Sequence, residues 1–109
     1  MGNSSSKITF FQWLRPLIES GQKTITIRDE SESHYEPGSI VSVHTLETDE
    51  KFCDIEILSV EALRFEDIND THARQELLSL SELKALLKDI YPGEELLYVI
   101  SYRLVEEPR

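Results

Sequence analysis

Strict alternation of apolar and polar residues, the pattern of half-buried β-strands, occurs in several stretches of the chain. Residues 23–28 (KTITIR) place Ile25 and Ile27 together on one face. Residues 96–104 alternate in the same way and predict a long final strand. Residues 39–46 also predict a strand, but both of its faces carry apolar side chains, so its inner face stays open.

The strand that follows the polar turn ETDEK changes its phase along its length. Its apolar residues first occupy odd-numbered positions, at Cys53, Ile55 and Ile57. They then shift to even-numbered positions, at Leu58, Val60 and Ala62. A change of parity inside one strand is what a β-bulge produces, and bulges accompany strongly bent sheets. The pattern therefore predicts a curved, barrel-like sheet.

Helical spacing first occurs in residues 8–21, where the apolar side chains keep to one face. Thr9 and Gln12 have the spacing of a capping box, so the pattern predicts a helix over this range. Pro16 is unfavourable inside a helix because it removes a hydrogen bond and clashes with the previous turn. We therefore expect either a kink at this proline or a helix that begins near Arg15.

Two further helices are predicted in the second half of the chain. Asn69 or Asp70 can cap a short helix over residues 70–77. Ser79 and Glu82 form a capping box for the next helix, which ends at the Pro-Gly pair of residues 92–93. The core face of that helix is marked by Leu80, Leu83, Leu87 and Ile90.

The order helix, three strands, two helices, strand predicts an α+β fold. A chain of 109 residues is long enough for one independently folded domain, which we place at residues 8–105. Residues 1–7 (MGNSSSK) are polar and are predicted to be a disordered tail. No stretch approaches the roughly 20 apolar residues that a membrane-spanning helix needs, so no membrane association is expected.

Charge and cysteine content narrow the possible partners. The chain has 11 Lys and Arg against 21 Asp and Glu, a formal net charge of -10. Because nucleic-acid binding depends on clustered cations that neutralise phosphates, an extended nucleic-acid interface is not expected. A small neutral ligand such as a nucleoside does not depend on clustered cations for binding. We expect the protein to be a monomer. The single cysteine, Cys53, excludes an intrachain disulfide and favours a cytoplasmic location.

Sequence motifs for several kinds of catalysis are absent. His34, His44 and His72 lie far apart without ligand-like spacing, and there is no C-x-x-C pair. The chain also has no P-loop, no dinucleotide-binding glycine motif and no nucleophile elbow. Neither a metal nor a cofactor is therefore predicted. Cys53 is in phase with its apolar neighbours and is interpreted as a small core residue.

One segment carries a specific resemblance. Residues 21–34 (GQKTITIRDESESH) closely resemble the signature of the small bacterial ASCH-domain family of N(4)-acetylcytidine amidohydrolases. Three shorter segments are similar to the same family in the same order: ITFFQ at residues 8–12, HARQE at 72–76 and DIYPG at 89–93. The resemblance thus extends over nearly the whole chain.

The resemblance implies a PUA-like fold, a small β-barrel flanked by helices, with an active site in a cleft. It implies a metal-free amidohydrolase that cleaves the acetyl amide of N(4)-acetylcytidine to cytidine and acetate. Carried over residue by residue, Lys23 is the proton acceptor, Thr26 the nucleophile and Glu76 the proton donor. The chemistry also allows the reverse arrangement, in which charged Lys23 stabilises the oxyanion and Glu76 is the base.

The positions of Lys23 and Arg28 relative to Thr26 depend on where the strand begins and on what Arg28 contacts. Lys23 and Thr26 would point to opposite faces of a regular strand, so we expect Lys23 to lie in the turn after Gly21. Arg28 is in phase with Thr26 and is a candidate for substrate binding. An ion pair between Arg28 and the acidic loop that follows is an equally good interpretation.

A different class of function is also consistent with the chain. A non-catalytic ASCH module could hold RNA or a modified nucleoside in the same cleft, since a fold does not fix a function. Without the resemblance, Thr26 would be an ordinary strand residue, Lys23 a strand-end lysine and Glu76 a surface glutamate. The net acidity counts against long RNA, and the presence of all three catalytic residue types favours the hydrolase.

Overall fold

The computed structural model of the protein describes residues 6–106, which form an α+β domain, as predicted. Five strands make up one sheet: β1 (Lys7–Phe10), β2 (Ile25–Arg28), β3 (Ile40–Thr45), β4 (Lys51–Arg64) and β5 (Leu96–Leu104). The α-helices are α1 (Arg15–Glu19), α2 (Asp70–Glu76) and α3 (Leu80–Ile90), and short 3-10 helices occupy Gln12–Leu14, Glu30–Glu32 and Phe65–Asp67. Most of the tail predicted at residues 1–7 lies outside the described range, but Lys7 begins β1.

The strand order is β1-β3-β4-β5-β2. β1 runs parallel to β3, and every other neighbouring pair is antiparallel. Within the described residues β1 and β2 are the two edges and do not pair with each other. The expected barrel is therefore present only as a curved sheet that is not closed.

The predicted first helix over residues 8–21 is wrong in its first half. Ile8 and Phe10 lie in β1 and are buried, and the amide of Leu46 donates to the carbonyl oxygen of Phe10 at 2.7 Å. The α-helix begins only at Arg15, as the alternative interpretation expected, with Pro16 in its first turn. A proline is tolerated there because the amide it lacks would have no helical partner.

The strands predicted at residues 39–46 and 96–104 are present, as β3 and β5. The buried residues of β3 are Val41, Val43 and Thr45, whereas Ile40 is 53% exposed, which settles the inner face of this strand. The predicted bulge is present, because the register between β4 and β5 shifts between Ile57 and Ser59. The long β4 can therefore bend and pair with β3 at one end and with β5 along most of its length.

Both capping predictions are confirmed for the later helices. The side chain of Asn69 accepts from the amide of Thr71 at the start of α2. Ser79 and Glu82 form the reciprocal capping box of α3. The predicted core face of α3 is correct for Leu83 and Leu87, which are buried.

The last position of that face departs from the prediction. Ile90 is 40% exposed, and together with Leu83 and Leu87 it lines a cavity. Leu83 and Leu87 therefore belong both to the core and to the wall of the cavity, whereas Ile90 only lines the cavity.

The buried apolar residues form two clusters. One lies around β1, β3 and β4 and includes Phe10, and the other joins β2, α2 and α3 and includes Leu83 and Leu87. A cavity lined by residues of both clusters lies between them. Over residues 6–106, none of the helices combines the length and the apolar character that crossing a bilayer requires.

Candidate active site

The cavity between the two clusters has a volume of about 200 Å³. Its apolar wall comes mainly from Phe10, Phe11 and Leu14 near the start of the chain and from Leu83, Leu87 and Tyr91 around α3. Its main polar side chains come from the turn before β2, from β2 itself, from the 3-10 helix after it and from the end of α2. These are Lys23, Thr26, Arg28, Glu32 and Glu76. All four predicted site residues therefore reach one cavity.

Lys23 is placed by the turn that follows α1. Gly21 adopts φ +80°, a conformation that glycine accepts without strain, and reverses the chain. The amides of Gln22 and Lys23 both donate to the carbonyl oxygen of Leu17 at 3.1 Å. β2 begins only at Ile25, so Lys23 lies before the strand, as expected, and does not follow its alternation.

Lys23 and Glu76 form a buried ion pair. Their side chains are 1% and 10% exposed, and the Nζ of Lys23 also donates to the carbonyl oxygen of Ile25. Glu76 is the last residue of α2, and the amide of Thr24 donates to the carbonyl oxygen of Gln75 at 3.4 Å. This contact between the start of β2 and the end of α2 brings together two residues that lie 53 positions apart.

Burial lowers the pKa of Lys23 below its ordinary value of 10.5, because a buried ammonium loses its hydration. The nearby Glu76 carboxylate acts in the opposite direction, and the Arg28 guanidinium reinforces the lowering. A neutral lysine amine is the form that can accept a proton. Burial thus shifts Lys23 toward the neutral form that a general base requires.

The hydroxyl of Thr26 lies in the same cavity and is held by Arg28. Thr26 is 5% exposed, and its Oγ1 accepts a hydrogen bond of 2.8 Å from the Nε of Arg28. Arg28 also lines the cavity and pairs with Glu32 of the acidic loop, with Nη1 to Oε1 at 2.7 Å. The ion pair with the acidic loop is therefore present, and the contact of Arg28 with substrate stays a prediction.

Two residues that line the cavity, Phe10 and Glu32, are not predicted from the sequence. The ring of Phe10 lies beneath both cations, 5.6 Å from Lys23 Nζ and 4.8 Å from Arg28 Cζ. The resemblance of the ITFFQ segment could have suggested Phe10 as a site residue. The prediction of a helix over residues 8–21 instead placed Phe10 on the apolar face of that helix. Glu32 is one of several acidic residues in its loop, and no sequence signal separates it from its neighbours.

The remaining candidate residues lie elsewhere. Cys53 is half-buried outside the cavity, and burial raises the pKa of its thiol to about 11, so it is not a reactive thiolate. His72 accepts from the amide of Asn69 and completes the cap of α2. Within residues 6–106, no three His, Cys, Asp or Glu side chains are grouped so that they could hold a metal ion.

A hydroxyl, an amine of lowered pKa and a carboxyl group around one small, mostly apolar cavity are the components of nucleophilic acyl-transfer chemistry. An α+β fold with an open sheet and a cleft of this composition defines the class of a small domain with a hydrolase-type site. The family model of the ASCH domain matches residues 6–105. The chain belongs to the ASCH-domain family.

Curated relatives match almost the whole chain. A Vibrio parahaemolyticus protein named N(4)-acetylcytidine amidohydrolase is 59% identical over 107 residues, which is 98% of this chain and 100% of the relative. A Vibrio cholerae protein of the same name is 59% identical over 102 residues, 94% of this chain and 97% of its own.

Solved structures support the fold alone. An ASCH domain from Lactobacillus crispatus superposes with a TM-score of 0.74 at 16% identity, covering 91% of this chain and 79% of its own. The ASCH protein of Zymomonas mobilis gives a TM-score of 0.72 at 14% identity, covering 89% of this chain and 65% of its own. The predicted PUA-like (ASCH) class is therefore confirmed at the level of the ASCH fold.

Proposed function

We propose that this protein is an amidohydrolase that cleaves the acetyl amide of N(4)-acetylcytidine, with Thr26 as nucleophile, Lys23 as proton acceptor and Glu76 as proton donor. The observation that carries the proposal is the meeting of these three side chains in one cavity, two of them as a buried ion pair. The name shared by the Vibrio relatives supplies the substrate.

The first half of the reaction uses the form of the pair in which the amine is neutral and the carboxyl group carries the shared proton. The Nζ of Lys23 has three directions for hydrogen bonding, and two of them are directed at Ile25 O and at Glu76. The third is left to accept the hydroxyl proton of Thr26. The Thr26 oxygen attacks the acetyl carbonyl carbon, and its proton passes to Lys23. The bond from that carbon to N4 then breaks, and Glu76 protonates the departing amine of cytidine.

The second half restores the starting state. The acetyl group is now an ester on Thr26, Lys23 is an ammonium and Glu76 is a carboxylate. Water attacks the ester carbonyl and gives its proton to Glu76, while the ammonium of Lys23 returns a proton to the Thr26 oxygen as the ester bond breaks. Acetic acid is released and ionises to acetate in solution, and the pair is ready for another turnover.

The surroundings of the cavity favour a free nucleoside over a polynucleotide. The apolar wall formed by Phe10, Leu83 and Leu87 suits the face of a base and an acetyl methyl group. Both basic side chains of the cavity, Lys23 and Arg28, already have carboxyl partners within the protein. With a net charge of -10 over the whole chain, a phosphate backbone would find little attraction here.

Direct assay of turnover tests the proposal. The purified protein is incubated with N(4)-acetylcytidine, with and without a chelator, and cytidine and acetate are separated by chromatography. We expect both products in equal amounts and the same rate with the chelator. Binding of the nucleoside without products would instead support a non-catalytic module, and loss of turnover on chelation would contradict the metal-free mechanism.

The direction of the pH–rate profile assigns the base. If neutral Lys23 is the base, kcat/KM rises with pH through the lowered pKa of Lys23, on the acid side of 10.5. If charged Lys23 stabilises the oxyanion, activity falls as pH rises through the same pKa. Lys23→Arg keeps the charge but cannot supply a neutral amine, so we expect a loss of at least about 10³-fold. Near-normal rates in this variant would assign the base to Glu76.

A further inference from the structure

The guanidinium of Arg28 contacts three different elements. Its Nε donates to Thr26 Oγ1 at 2.8 Å, its Nη1 pairs with Glu32 Oε1 at 2.7 Å, and its Nη2 donates to the carbonyl oxygen of Thr9 at 2.8 Å. Arg28 is 9% exposed, and its guanidinium stacks over the ring of Phe10. Each of its three nitrogens therefore has a partner within the protein.

We propose that Arg28 and Glu32 are positioning residues, which hold the hydroxyl of Thr26 in one orientation for attack. This inference rests on the proposed function, because it assigns a task to the neighbours of its nucleophile. Glu32 and the Thr9 carbonyl fix the plane of the guanidinium, and the fixed Nε then occupies one lone pair of Thr26 Oγ1. The other lone pair is left to face the substrate.

This role differs from the substrate contact that the sequence suggested for Arg28. Recognition of a substrate by arginine uses its parallel N–H groups as a fork. Here Nη1 and Nη2 are directed at Glu32 and at Thr9 in β1. A cationic donor on the hydroxyl oxygen also stabilises the negative charge that develops as the Thr26 proton leaves.

Glu32 offers a matched control within its own 3-10 helix. Asp29 caps this helix by accepting from the amide of Ser31 at 3.1 Å, and the helix places Glu32 four residues beyond Arg28. Glu30 belongs to the same helix but is exposed and does not line the cavity. Glu30→Gln therefore makes the same chemical change as Glu32→Gln without touching the guanidinium.

Steady-state kinetics separate positioning from substrate binding. Arg28→Lys keeps the charge but loses the planar fork, so we expect kcat to fall about 10²-fold with KM little changed. Glu32→Gln should lower kcat in the same direction by less, and Glu30→Gln should match the wild type. A raised KM with unchanged kcat would overturn the proposal, because it would show that Arg28 binds substrate. Unchanged kcat in Arg28→Lys would overturn it as well.

An NMR measurement tests the same proposal without turnover. Three-bond couplings to the methyl carbon of Thr26 report its χ1 angle, and we expect a single rotamer in the wild type and in Glu30→Gln. In Glu32→Gln and Arg28→Lys we expect averaging over rotamers. A single unchanged rotamer in both variants would overturn the positioning role. Absence of turnover in the wild type would reject the proposed function and leave this result to stand independently.

Discussion

Thr26→Ala should abolish the hydrolysis of N(4)-acetylcytidine, with kcat at least about 10⁴-fold below the wild-type value, because loss of a covalent nucleophile removes the reaction path itself. Thr26→Ser keeps a hydroxyl in reach of the Arg28 Nε and should retain measurable turnover. Release of cytidine, followed by chromatography, gives the rates. Circular dichroism of each variant shows whether the fold is kept.

Thr24→Ala is the matched control for this prediction. Thr24 lies two residues earlier in the same motif, but it is exposed, and among the described residues its side chain makes no hydrogen bond. We expect wild-type kinetics from this variant. Mass spectrometry of a quenched reaction should show one acetyl group on the peptide that contains Thr26. Turnover close to normal in Thr26→Ala would mean that water attacks the amide directly.

Local sequence patterns correctly predicted the features that depend only on residues close together in the chain. The caps of α2 and α3 were correct because capping is set by residues within one turn. Residues 8–10 were assigned to a helix because three residues are too few to separate the two periods. Their assignment to β1 depends on pairing with β3, about 35 positions further along the chain, which no local pattern contains.

The candidate site shows the same division. Periodicity alone could not bring Lys23 to Glu76, since their contact depends on α2 packing beside the start of β2; only the family resemblance joined them. Neither the periodicity nor the family resemblance assigned a role to Glu32. Glu30 and Glu32 are the same residue type in the same short helix, and only the direction of the Arg28 side chain distinguishes them.

The buried ion pair leads to the second large effect, this time on stability. Glu76→Leu leaves the Lys23 amine buried without its carboxylate, and breaking such a pair costs about 3–5 kcal/mol. The pKa of Lys23 in the folded state should then fall further, because burial still lowers it and Glu76 no longer raises it. The unfolded chain binds more protons in this range, so the unfolding free energy of the variant rises with pH up to about 10.5.

Replacing both partners should reverse that loss. In Lys23→Met/Glu76→Leu no charge is buried, and apolar replacements of buried pairs are often neutral or stabilising by about 1–4 kcal/mol. We expect urea unfolding to give a free energy equal to or above that of the wild type, with no turnover. The more exposed pair Lys51 and Asp54 in β4 is the control, and its apolar double variant should change neither stability nor activity appreciably. A stable but inactive double variant would show that the pair is kept for catalysis at a cost in stability. A double variant as unstable as Glu76→Leu would instead assign the pair a structural role.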